Sequence, residues 1–115
     1  MASSITVNIK LSKGLQNIDK NVDRAVSTAL DKIADSIIQG AQSVVPVRTG
    51  RLRDSIGVKE KTDRSLTVAA DTEYAAAIEF GTGSRPAQPY LLPQSDRMQT
   101  EGPKILGEEI EKAIK

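Results

Sequence analysis

The sequence predicts an α+β fold: a small antiparallel sheet packed against one long amphipathic helix, with a short helix and a C-terminal helix. Two patterns carry that prediction. From Leu15 to Val44 the apolar residues Leu15, Ile18, Val22, Val26, Ala29, Ile33, Ile37, Ala41 and Val44 recur at three- and four-residue steps, the period of a helix with one apolar stripe. Beyond it the period changes to two. Ile56 and Val58, then Leu66, Val68 and Ala70, alternate with polar residues on either side of Thr62-Asp63-Arg64, which reads as a hairpin with one apolar face.

In chain order, Ile5, Val7, Ile9 and Leu11 alternate with Thr6, Asn8 and Lys10 and predict a first strand, which Gly14 ends. The long helix follows, about 28 residues and about 40 Å by helical rise. Asn17 or Asp19 is placed to cap its start. Leu30, Ala34 and Ile38 widen its stripe, which favours a helix lying on a sheet over a two-stranded coiled coil. Pro46 ends it, because the residue before a proline is pushed out of helical geometry. Residues 46–53 read as an arginine-rich loop. After the hairpin, the run Tyr74-Ala75-Ala76-Ala77-Ile78-Glu79-Phe80 reads as a short helix, by alanine propensity. Asp71 or Thr72 would cap it and Gly81 would stop it in left-handed geometry. A strand is the alternative. Residues 81–93 carry no period, and Pro86 and Pro89 hold them extended. Pro93 suits the first turn of a C-terminal helix. Gly102-Pro103 is expected to break or kink that helix, with Ile105, Leu106, Ile110, Ala113 and Ile114 as the apolar face of its second piece. By spacing, Glu108 pairs with Lys112 and Glu111 with Lys115.

The 115 residues fit one domain, 1–115, with a modest core. Tyr74, Phe80 and Tyr90 are the only aromatics, so the core must be aliphatic and stacking on single-stranded nucleic acid has little to work with. Sixteen basic and fifteen acidic residues leave a net charge of +1, no announcement of a nucleic-acid or membrane-surface protein. With no Cys and no His, thiol chemistry, disulfides, Cys/His zinc sites and imidazole acid–base chemistry are excluded. The N-terminus lacks the form of a signal peptide and no stretch is apolar enough to span a bilayer, so synthesis in the cytoplasm is expected. There is no nucleotide-binding glycine motif and no nucleophile elbow. The reading is therefore not an enzyme, with no cofactor and no metal.

Two segments remain that must hold a fixed shape. The first is Pro46-Val47-Arg48-Thr49-Gly50-Arg51-Leu52-Arg53-Asp54-Ser55-Ile56. The second is Tyr74-Ala-Ala-Ala-Ile78-Glu79-Phe80-Gly81-Thr82, continuing to Arg85-Pro86-Ala87-Gln88-Pro89-Tyr90-Leu91. Glu79 is an acid inside an apolar run, and Arg85 is its expected partner. Tyr90, Leu91 and Leu92, stiffened by flanking prolines, are expected to form an arm that docks on a neighbour, together with the Arg48, Arg51 and Arg53 loop; a strap packed on the chain's own core is the alternative. The same arginines, with Lys59, Lys61 and Arg64, leave open a small basic-loop nucleic-acid-binding module.

The ordered set of these segments around a hairpin resembles the head–tail joining proteins of tailed bacteriophages, the neck or tail-completion proteins of siphophages and prophages, from about Leu15 to the C-terminus. The resemblance implies a structural virion protein at the head–tail junction, forming a homo-oligomeric ring, a hexamer by expectation, around the DNA channel. It implies portal or head-completion proteins and tail-tube or terminator proteins as partners, possible non-specific contact with channel DNA, and no membrane. A tail terminator that caps tube growth is the alternative within the same class. The interaction residues it points to are Arg48, Thr49, Gly50, Arg51, Leu52, Arg53, Tyr74, Glu79, Phe80, Gly81, Thr82, Arg85, Pro86, Pro89, Tyr90 and Leu91. The Gly102-Pro103 step departs from the unbroken helix the family would have.

Overall fold

A computed structural model describes residues 20–45 and 50–114, and the backbone of residues 4–10. The expected caps Asn17 and Asp19, the first turns of the stripe at Leu15 and Ile18, the stop at Gly14, Arg48 and Thr49, and Lys115 lie outside the described residues. The elements are β1 (Ser4–Lys10), α1 (Lys20–Val44), α2 (Arg51–Ser55), β2 (Gly57–Lys61), β3 (Ser65–Asp71), α3 (Ala75–Phe80) and α4 (Leu92–Ile114).

The sheet is three-stranded and antiparallel in the order β1-β3-β2. Val68 in the central strand faces Val7 on one side and Val58 on the other. The β2–β3 register shifts between Val58 and Glu60, a bulge that twists the edge strand. That strand is exposed over most of its length, so Val58 is half-exposed rather than a core residue. On the central strand Leu66, Val68 and Ala70 are fully buried, and so is Ala69 on the opposite face.

The long helix α1 packs on the sheet and also against α4. This double duty explains the width of its stripe. Val26, Leu30, Ile33 and Ile37 fill the core, while Ala25, Ala29, Ala34 and Ala41 let neighbouring elements approach closely. Burying a side chain such as Leu30 or Ile33 stabilises the fold by about 1.5–3 kcal/mol. At the helix end the phase drifts: Val45 is buried and Val44 is exposed, the reverse of the expected stripe.

Three expectations are overturned here. Part of the arginine-rich loop is helical: α2 follows Gly50, whose φ of 79° and ψ of −8° reverse the chain. Its end is tied back by Gln42 Nε2, which donates to Arg53 O (3.1 Å), and by Ser55 Oγ, which accepts from Asp71 N (3.0 Å). Second, α4 is not broken at Gly102-Pro103 but runs as one helix with Pro103 inside it. Gly102 is buried at the α1 seam, where an added Cβ would lie 3.9 Å from Ile33 Cδ1. Pro103 is exposed, so the carbonyl it leaves without a donor is on the water side, where the loss is tolerated. The expected Glu108–Lys112 pair is replaced: Lys112 and Lys32 both converge on Glu109, a carboxylate buried at the same seam.

Candidate functional site

The exposed run from Thr82 to Pro89 is held at both ends. At its start, α3 ends on Gly81, whose N–H donates to Ala77 O (2.8 Å). Gly81 has φ 79° and ψ 172°. The positive φ was expected, but the ψ is extended, not left-handed helical, and this region is open to glycine almost alone. An added Cβ would sit 2.7 Å from Ala87 N and 3.0 Å from Arg85 O. Within the run, Thr82 and Arg85 exchange backbone hydrogen bonds of 2.9 and 3.3 Å, and Gln88 N donates to Ile78 O (2.8 Å).

The far end is fixed by Glu79. Its carboxylate is buried, 1% exposed, and accepts the backbone N–H groups of Tyr90 (3.2 Å), Leu91 (2.9 Å) and Leu92 (3.2 Å). These donors lead into the first turn of α4, where backbone N–H groups have no partner inside the helix. A carboxylate there also meets the positive end of the helix dipole. The expected Glu79–Arg85 pair is therefore not formed: Glu79 is turned inward to backbone amides, and Arg85 is exposed. The same geometry overturns the docking arm. Tyr90 and Leu91 are fully buried in the core. The Tyr90 hydroxyl donates to Ala75 O (3.0 Å), and burial first, then the Glu79 charge, pushes its pKa well up. Leu92 remains half-exposed. The expected Asp71 or Thr72 side-chain cap is absent too: Ala75 N donates instead to the Thr72 carbonyl (3.2 Å), and the buried Thr72 hydroxyl has no partner among the described residues.

Between this loop and α2 lies an open groove of about 850 Å³. It brings the two shape-holding segments together. Gly50, Arg51 and Leu52 line one side, Thr82, Ser84, Arg85, Pro86 and Gln88 the other, with Tyr74, Ala77 and Ile78 between. Arg51 lies 5.7 Å from the Tyr74 ring centroid, a cation–π contact, and 3.4 Å from Glu73 in an exposed pair. Phe80, Pro89, Glu79, Tyr90, Leu91 and Arg53 are not among the lining residues; Phe80 is 60% exposed.

The middle of the chain is less cationic than its sequence reads. Lys61 bonds Asp31 (2.6 Å), Arg64 bonds Asp23 (3.1 Å) and Arg53 bonds Asp54 (3.3 Å). The first two pin the hairpin tip to α1. Basic side chains spent on neighbouring acids offer little to a phosphate backbone.

A family model described as "Bacteriophage HK97-gp10, putative tail-component" matches residues 9–81, more than half of the chain. The chain belongs to the HK97-gp10-like family. No curated protein and no solved structure matches it. A phage tail component is a part of the virion, and among the described residues no helix is long and apolar enough to cross a membrane. The HK97-gp10-like match ends at Gly81, short of the C-terminal reach of the resemblance. It takes in α1, the hairpin, α2 and α3, and leaves out Arg85, the rest of the groove's loop side and all of α4.

What sequence reasoning missed lies mainly on that unmatched helix. Gln94 is buried over Gly40 of α1: a Cβ on Gly40 would meet Gln94 Oε1 at 2.0 Å. Arg97 bonds Gln94 Oε1 (2.8 Å), Ser36 O (2.9 Å) and Glu101 (2.7 Å). The available signal was Gly40 itself, a glycine inside a strong helix, which marks close approach.

Proposed function

We propose that the protein is a structural component of the head–tail junction, assembled as a homo-oligomeric ring, six-membered by expectation, around the DNA channel, and that its groove-flanking loops make the protein–protein contacts. The observation that carries this is the 82–89 loop: exposed throughout, yet pinned by Gly81, by its own backbone bonds and by Glu79. A surface element held in one conformation loses less entropy on docking than a free loop, so it binds better for the same contact area. A virion component has use for such an element. The family membership supports the class of function, and the position at the junction rests on the resemblance of the two segments to head–tail joining proteins.

The test is to remove the protein from a phage that encodes it and view the lysate by electron microscopy. Filled heads beside separate tails of normal length are expected. Tails of uncontrolled length would assign the protein to tube termination instead, and intact joined particles would overturn the reading.

A further inference from the structure

Resting on the ring reading above, we infer that the end of the molecule where α1 stops and α4 starts docks on a different virion protein, through a surface of that protein that is apolar and uncharged. The large apolar residues exposed in the described chain are Val44, Val58, Phe80, Leu92 and Ile114. Val44, Phe80 and Leu92 share this one end, 55%, 60% and 46% exposed. The Leu92 N–H binds Glu79, the residue before Phe80. Gln94 sits over Gly40, one turn before Val44. Pro89 and Pro93, both exposed, lie beside them in the chain.

This end is set apart by its lack of charge. Residues 36–45 and 80–95 build it, and they hold one charged residue, Arg85, in a chain that is 27% charged. The charges beside it pair with one another, Arg51 with Glu73 and Arg53 with Asp54. Val58 and Ile114 lie instead among charges: Val58 precedes Lys59, Glu60 and Lys61, and Ile114 follows Glu111 and Lys112. Single apolar residues of that kind are ordinary surface, whereas several at one place mark a contact, and the cores of protein interfaces are likewise depleted of charge.

The same pattern selects the occupant. A phosphate backbone is bound by clustered cations, and these two segments offer Arg85 alone. A second copy arriving head to tail would bring up the far end, where Lys20, Asp23, Arg24, Glu108, Glu111 and Lys112 are exposed, and burying them against an apolar surface is costly. A second copy arriving end to end would close a two-fold dimer, whereas the copies of a cyclic ring all face one way. A different protein remains, met by the face of the ring that also carries the 82–89 loop.

The test supplies the parent or a variant from a plasmid to a phage lacking its own copy, purifies the particles and measures incorporated protein on an immunoblot. Val44→Lys with Phe80→Lys places two ammonium groups in the contact and leaves Leu92, whose N–H serves Glu79, untouched. Both sites are exposed, so the purified double variant should keep the parent circular dichroism. Its incorporation should fall at least about tenfold, because an ammonium group buried in an apolar contact is costly, while Ile114→Lys at the far end is incorporated like the parent. Phe80→Gln removes apolar surface without adding charge; it should give an intermediate loss, and it carries the test if the double variant misfolds. Parent-level incorporation of the folded double variant, or of Phe80→Gln in its place, overturns the proposal, and so does an equal loss from Ile114→Lys. A parent that is a dimer by light scattering and that Phe80→Gln turns into a monomer also overturns it, by putting a second copy on this end. Electron microscopy of the lysate without the protein separates the two readings. Heads and tails joined in its absence refute the junction and leave the docking end standing, whereas separate heads and tails that the double variant joins as well as the parent does refute this inference alone.

Discussion

Replacing Gly81 by alanine tests the rigidity of the exposed loop. Two penalties add. The backbone at φ 79° and ψ 172° is one a side chain scarcely occupies, which costs about 1–3 kcal/mol. The new Cβ would also fall 2.7 Å from Ala87 N and 3.1 Å from Ala87 Cα. Both are backbone atoms of the returning loop, which cannot swing aside as a side chain can. The sum therefore lies near or above about 3 kcal/mol, and at roughly 4 °C per kcal/mol for a domain of this size the midpoint of thermal unfolding should fall by about 10 °C or more. Gly83 is the control, because an added Cβ there meets nothing within 4 Å; Gly83→Ala should melt within a degree or two of the parent. Asparagine sharpens the test. It tolerates left-handed helical geometry, so it should be accepted at Gly50 (ψ −8°) far better than at Gly81. The assay is thermal melting followed by circular dichroism. A Gly81→Ala protein that melts with the parent would show that the loop does not need this conformation.

Glu79→Ala should destabilise by about 3 kcal/mol or more, since it strands three backbone donors at a buried helix start; hydrogen exchange at Tyr90, Leu91 and Leu92 should accelerate, and unchanged protection there would refute the clasp. Gly40→Ala should displace the Gln94 amide and its bond from Arg97, offsetting the roughly 0.8–1 kcal/mol that alanine gains over glycine inside a helix, and Gln94→Ala in the same chain should uncover that gain; strict additivity in a double-mutant cycle would show that the two sites are not coupled. The hydrogen bond from Lys32 holds the Glu109 carboxyl below its ordinary value, with Lys112 adding to it. Its stabilising contribution is thus present above the usual carboxylate range and fades as pH falls through the lowered folded value. Lys32→Met should raise the Glu109 midpoint in an NMR titration, and an unmoved midpoint would remove Lys32 as the cause.

The elements set by local chemistry were legible. The period of α1, the two-residue alternation around Thr62-Asp63-Arg64, the alanine run of α3 and the stop at Gly81 each follow from residues close in sequence. Misreadings arose where a distant partner decides. At Gly102-Pro103 the sequence contains a helix breaker, and only the packing of Gly102 on Ile33, with Pro103 turned to water, explains why the helix continues. The half-exposed Val58 depends on β2 being the sheet edge, which alternation within one strand cannot report.

The segment around Tyr90 shows how one wrong partner propagates. A lone acid in an apolar run implies a buried partner, and Arg85 was the nearest opposite charge. Yet Pro93 already marks a helix start, and a helix start offers a cluster of unpaired N–H donors, which serve a buried carboxylate without bringing a second charge out of water. Once Glu79 binds those donors, Tyr90 and Leu91 are drawn into the core and Arg85 is released to the groove. The apolar residues that read as a docking arm thus become the anchor, and the contact surface moves to the polar loop they hold.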